Sequence, residues 1–119
     1  MQNIELLPGL DINDLLINDS PATFLVRVTG NSMEDAGIFA GDLLVVDKGL
    51  APIHGSIVIA AVDGEFTVKR LYSKDARIAL IAENPDYPPT EFQNGKELEI
   101  WGVVIGCVRR FNYPTDNRA

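Results

Sequence analysis

From Thr23 onward the apolar positions fall in short runs rich in β-branched and aromatic residues, separated by polar and glycine-containing stretches. Such runs suit pleated, half-buried strands rather than helices. Thr23 to Val28 is the first, ending at Thr29-Gly30, and a polar stretch from Asn31 to Gly41 follows. Asp42 to Asp47 reads as a buried strand, and Leu50 to Gly55, with Pro52, as a turn region. Ser56 to Val62 then runs through Asp63-Gly64 into Glu65 to Leu71. An Asp-Gly pair between two apolar runs predicts a two-residue hairpin, because a type I′ turn needs positive φ at both central positions. Arg77 to Ala82 and Leu98 to Phe111 supply further strands, with a loop containing Pro85, Pro88 and Pro89 over Asn84 to Gly95. Ahead of the strands, Asp11 to Ile17 predicts a short N-terminal helix with Asp11 as N-cap, broken by Asn18-Asp19-Ser20-Pro21. The expected organisation is a flexible arm over 1–10, one mainly β domain over 11–112 and a fraying tail over 113–119.

The 119 residues suit one domain, and 46% hydrophobic with 23% charged residues is an ordinary globular balance. Cys107 is the single cysteine, so no internal disulfide forms, and one free thiol fits a reducing, cytoplasmic setting. The longest apolar run, Trp101 to Val108, falls far short of the about 20 residues of a membrane span. The net charge is −7 and there is no basic stripe, so strong direct binding to nucleic acid is not expected. Solubility alone accounts for the charge. His54, the only histidine, sits in a Pro-Ile-His-Gly turn and reads as a surface residue. No Cys/His cluster or phosphate loop stands out, so neither metal nor cofactor is expected. Cys107 reads as a buried small side chain in an apolar strand.

Candidate chemistry comes from the hairpin. With Asp63-Gly64 as the loop, Val62 pairs with Glu65, Ala60 with Thr67 and Val58 with Lys69. Lys69 then shares a face with Val58, Ala60, Thr67 and Leu71. If that face meets solvent, Lys69 is a solvated charge that discourages edge pairing. If it is covered, burial without a partner charge lowers the lysine pKa, and a neutral amine can take a proton from a serine hydroxyl. Among the serines, Ser20 precedes Pro21, and Ser56 and Ser73 flank the hairpin strands. Ser32 follows Gly30-Asn31 at a strand end, where glycine permits a sharp turn that exposes the hydroxyl. A helical turn starting there would aim free N–H groups at an oxyanion, the candidates being the N–H of Ser32 and one from the Gly30-Asn31 side. The same residues also read as an N-cap serine with Asp35 three positions on.

Gly30-Asn31-Ser32-Met33, Gly37-Ile38, Gly41-Asp42-Leu43-Leu44-Val45-Val46-Asp47 and Asp63-Gly64-Glu65-Phe66-Thr67-Val68-Lys69-Arg70-Leu71 together resemble the LexA/UmuD family of self-cleaving Ser–Lys proteases. The 37-residue separation of Ser32 and Lys69 resembles the family's spacing, and the likeness runs from about Asp11 to Val108. His54 to Ala60 and Gly102 to Ile105 look more like the UmuD branch than like repressors. The resemblance implies a curled, largely antiparallel sheet and a homodimer. It implies Ser32 as nucleophile and Lys69 as general base. Gly30, Asn31 and Met33 are candidates for the cleft or its oxyanion donors, and Met33 reads equally as packing into the core or as a dimer contact. Full-length members cut their own N-terminal arm at a Cys-Gly or Ala-Gly bond when a RecA filament stimulates them. The shortened UmuD-like product joins a Y-family polymerase in error-prone synthesis during the SOS response. Only Pro8-Gly9 and Thr29-Gly30 stand as X-Gly pairs before Ser32, while Ala36-Gly37 and Ala40-Gly41 lie within the motif as turns. The chain is therefore expected to be the processed, arm-less form. Two alternatives are an endopeptidase acting in trans and the catalytic domain of a LexA-like repressor.

Overall fold

A computed structural model describes residues 3–9, 11, 13, 15, 22–93 and 98–111. The described strands are β1 (Thr23–Arg27), β2 (Leu43–Asp47), β3 (Ile57–Val62), β4 (Glu65–Lys74), β5 (Arg77–Ile81), β6 (Thr90–Phe92) and β7 (Leu98–Val108). They form one open sheet in the order β1-β2-β7-β3-β4-β5-β6, and every neighbouring pair is antiparallel. The mainly β, antiparallel expectation holds. The chain runs β3 to β6 as consecutive hairpins, and β7 then crosses back to lie between β2 and β3.

The β3–β4 hairpin has the register read from Asp63-Gly64: Val62 faces Glu65, Ala60 faces Thr67 and Val58 faces Lys69. Asp63 and Gly64 both take positive φ, 51° and 82°. β4 runs further than expected, to Lys74, because β5 pairs with Arg70 to Lys74. The connecting turn there has Asp75 and Ala76 at positive φ, a conformation that alanine does not advertise. The proline-rich loop also contains a strand. β6 is short and at the edge, just after Pro88-Pro89, where the missing N–H groups of proline are tolerated.

β7 breaks register with both neighbours, between Val45 and Val46 on one side and between Ile59 and Ala60 on the other. The residues passed over on β7 are Ile105 and Trp101, and both stay exposed. Bulges of this kind bend and twist a sheet, which gives its curl. Gly102 lies between them, where an added Cβ would come within 2.6 Å of Val46 Cγ1.

Two buried clusters result. Val28, Met33, Ile38, Leu44, Val46 and Ile59 form one, with Val68 packed against it. Val58, Ala60, Leu71 and Leu80 form the other. The alternation of Val58, Ile59 and Ala60 between clusters is the strand period of two. It assigns the Lys69 position to the second cluster's face, beside fully buried Val58 and Ala60.

Of the predicted N-terminal helix, only Asp11, Asn13 and Leu15 are described. The Asp11 carboxylate accepts from the Asn13 N–H at 2.9 Å, and the Leu15 N–H donates to the Asp11 carbonyl at 3.0 Å. The rest of that helix, and the tail over 113–119, lie outside the described residues. No described helix is long and apolar enough to cross a membrane.

Candidate active site

Pairing continues one step past β1: the Val28 N–H donates to the Asp42 carbonyl and the Gly41 N–H to the Val28 carbonyl, both at 2.9 Å. The chain then turns at Gly30, whose φ of 82° is a left-handed conformation open to glycine. Ser32 follows, and a single 3-10 turn spans Glu34–Ala36. Ser32 is not its N-cap. That position belongs to Met33, which makes no side-chain cap.

Lys69 Nζ lies 3.0 Å from Ser32 Oγ, across a 37-residue separation. It also contacts Thr67 Oγ1, two residues back on the same face of β4. Lys69 is half-buried, and burial pushes its pKa below the usual lysine value. No described carboxylate pairs with it within 4.0 Å. An ammonium without a described counter-charge in a partly dry site loses hydration without gaining attraction, which shifts the balance toward the neutral amine. A neutral amine beside a hydroxyl is a base poised to deprotonate it.

Ser32 opens onto a groove of about 170 Å³ lined also by Val26, Val28, Thr29, Phe66 and Thr67. On β4, β5 pairs only with Arg70 to Lys74, so the outer edge of Glu65 to Lys69 has no partner strand among the described residues. The loop carrying Ser32 meets β4 at this open stretch.

The loop after β5 holds the nucleophile loop from behind. The Asp35 N–H donates to the Glu83 carbonyl at 2.8 Å, and the Glu83 N–H to Met33 Sδ at 3.4 Å. Asn84 Nδ2 donates to the Asn31 carbonyl at 2.8 Å, and the Tyr87 hydroxyl to Asn31 Oδ1 at 2.6 Å. Arg70, next to Lys69, pairs with Glu83 at 2.7 Å and donates to the Gly55 carbonyl at 2.8 Å. Consecutive residues of β4 thus serve both halves of the site: Lys69 directly, Arg70 through Glu83.

A second brace lies beyond the 3-10 turn. Buried Asp42 accepts from Arg109 Nε and Nη2, both at 2.8 Å, and from the Phe39 N–H at 2.8 Å. Arg109 holds the Asp42 carboxyl well below the usual carboxylate range, with Phe39 and Cys107 helping and burial opposing. Arg109 Nη2 also donates to the Gly37 carbonyl at 2.7 Å, tying the end of β7 to the nucleophile segment.

Of the site residues read from the sequence, Ser32 and Lys69 meet and Gly30 makes the turn. Asn31 faces the rear loop, held by Asn84 and Tyr87. Met33, read as cleft, core or dimer contact, is core: it is 1% exposed and packs in the first cluster. Its position after Ser32 sends the flexible thioether inward as an anchor. Met33→Ala should therefore cost about 2–5 kcal/mol in urea unfolding, the range for emptying a buried methionine site. Cys107 is corrected. It lies near the exposed end of β7, 3.4 Å from Asp42 Oδ2. Local desolvation, then Asp42, pushes its thiol pKa up, which disfavours the nucleophilic thiolate. His54 is in an exposed turn and accepts from the Ser73 N–H at 3.1 Å. The described residues contain no group of three or more side chains suited to a metal ion. Thr67, Arg70, Glu83, Asn84, Tyr87 and Arg109 were not singled out by sequence. Only Thr67, on the Lys69 face, carried a signal.

The sequence matches the family described as Peptidase S24-like over residues 2–105. It is 50% identical over 101 residues to the protein SamA of Salmonella typhimurium, covering 85% of this chain and 69% of SamA. It is 45% identical over 96 residues to the protein MucA of Escherichia coli, covering 80% of this chain and 65% of MucA. The LexA repressor of Cupriavidus pinatubonensis is 43% identical over 97 residues, covering 81% of this chain and 44% of the repressor. A family match over almost the whole chain, with relatives this similar, bears out the resemblance carried by the motifs around Ser32 and Lys69: the chain belongs to the Peptidase S24-like family.

Proposed function

We propose that this chain is a UmuD-like Ser–Lys autopeptidase domain, with Ser32 as nucleophile and Lys69 as general base. The observation that carries the reading is the 3.0 Å approach of Lys69 Nζ to Ser32 Oγ on a half-buried face where no described carboxylate pairs with the amine. The neutral Lys69 amine takes the Ser32 hydroxyl proton as Oγ bonds to the scissile carbonyl carbon. The negative charge passes to the carbonyl oxygen, where the Ser32 N–H can receive it. On collapse the C–N bond breaks and the Lys69 ammonium returns its proton to the departing amine. Water, deprotonated by Lys69, then hydrolyses the Ser32 ester and restores the serine.

The open edge beside Glu65 to Lys69 supports an extended peptide as substrate, since a strand added there gains main-chain hydrogen bonds. In its biological setting the domain acts in the cytoplasm on an N-terminal arm, under stimulation by a RecA filament. Once an arm has been removed, the domain works as a homodimeric accessory subunit of a Y-family polymerase in the SOS response. The similarity to SamA, MucA and a LexA repressor supports that setting. Acidic composition supports a role in which the polymerase, not this chain, contacts DNA.

The test mixes the purified chain with a full-length relative whose own nucleophilic serine is replaced by alanine, so that it cannot cut itself, with and without RecA on single-stranded DNA, and follows arm release by mass spectrometry. A co-purification assay with a Y-family polymerase runs alongside. Arm release and a stable complex are expected. No arm release up to pH 10 overturns the peptidase, and no complex overturns the accessory role.

A further inference from the structure

We infer that Asn84 is a positioning residue for the oxyanion donor, an inference that rests on the Ser–Lys reading. The donor belongs to the peptide joining Asn31 to Ser32. The described chain has no cis bonds, so this unit is planar and trans, with its C=O and N–H pointing in opposite directions. Fixing the carbonyl therefore aims the amide. Asn84 Nδ2 fixes that carbonyl at 2.8 Å, with weaker help from the Glu34 N–H at 3.4 Å. The Ser32 N–H is turned the other way, and among the described residues it donates to no protein acceptor. A free backbone donor on the nucleophile itself is what a developing oxyanion needs.

The other polar groups of Asn84 hold it in place for this contact. Its Oδ1 is already taken by the Asp86 N–H at 2.9 Å, and its carbonyl by the Tyr87 N–H at 3.1 Å. Those bonds fix the side chain so that the amide NH₂ faces Asn31. The Tyr87 hydroxyl adds a second tether on Asn31 Oδ1. Arg70 and the Asp35 N–H hold the loop itself through Glu83. Neither Asn84 nor Tyr87 hydrogen-bonds to Ser32 or Lys69, and neither belongs to a buried cluster. Their contacts serve the orientation of one peptide rather than the core.

Asn84→Asp separates the two duties of the side chain. The carboxylate still accepts from the Asp86 N–H, but the donor to Asn31 is gone and an anion faces its carbonyl. The readout is steady-state cleavage of a fluorogenic peptide containing an Ala-Gly bond, across pH, beside thermal unfolding. Asn84→Asp is expected to lower kcat by about 10–100-fold, at or below the loss for deleting one oxyanion donor. KM, the pH at which the rate rises and the thermal midpoint should be little changed. Tyr87→Phe should give a smaller loss of the same kind. If the wild type cuts the peptide and Asn84→Asp cuts it equally fast, this inference alone is overturned. It is overturned too if the loss comes with a collapsed thermal midpoint or a displaced pH profile, which would mark general loosening. A wild-type chain that leaves the peptide intact overturns the dyad reading and this inference with it.

Discussion

Ser32→Ala abolishes arm release, with cleavage falling by about 10³-fold or more, the loss expected when the attacking atom is removed and only binding and oxyanion donors remain. The fold should survive. Ser32 is only partly buried, belongs to neither apolar cluster, and among the described residues its hydroxyl hydrogen-bonds only with Lys69. Unfolding in urea should therefore match the wild type within about 0.5 kcal/mol, as for surface substitutions away from special features. A variant that keeps cutting removes Ser32 from the mechanism.

Lys69→Met produces a comparable loss of cleavage, and the Ser32→Ala/Lys69→Met double variant is no slower than either single one. Groups that act as a unit lose their effect together rather than additively. Stability moves the other way. Burial lowers the Lys69 pKa in the folded chain from its ordinary value of 10.5, so folding disfavours the ammonium. The sign follows: below the folded pKa the penalty is full, it shrinks as pH rises, and it vanishes above 10.5. Lys69→Met removes the penalty. It should be more stable than the wild type at neutral pH, with the gap closing as pH approaches 10.5. Urea unfolding at several pH values reads this directly. The wild-type cleavage rate should climb over the same interval as the free amine accumulates.

The parts legible in the sequence were local. Asp63-Gly64 set the hairpin register, which placed Lys69 opposite Val58 and beside Thr67. The β4–β5 hairpin was harder to see, because its turn puts Ala76 at positive φ, where glycine would have marked it. Whether Lys69 faced water or protein was not legible, since what encloses it is Ser32, 37 residues away, arriving across the open edge of β4. The rear brace was hidden for the same reason. Asn84 reads as turn chemistry before Pro85, and its partner Asn31 lies 53 residues upstream. Asp42 and Arg109 are 67 residues apart, with nothing in either neighbourhood to announce the pair. Cys107 was misplaced, and Met33 left undecided between cleft, core and dimer contact, because an apolar residue beside a site, or at a strand end, has no periodic neighbours on both sides to fix its face.

Catalysis by the dyad depends on the protonation of one amine, and NMR titration of the Lys69 side chain, in the wild type and in Ser32→Ala, measures it. The predicted result is a midpoint below 10.5, with the resonance changed on loss of the Ser32 hydroxyl. A midpoint at or above 10.5, indifferent to Ser32, would place the amine in water and contradict the account.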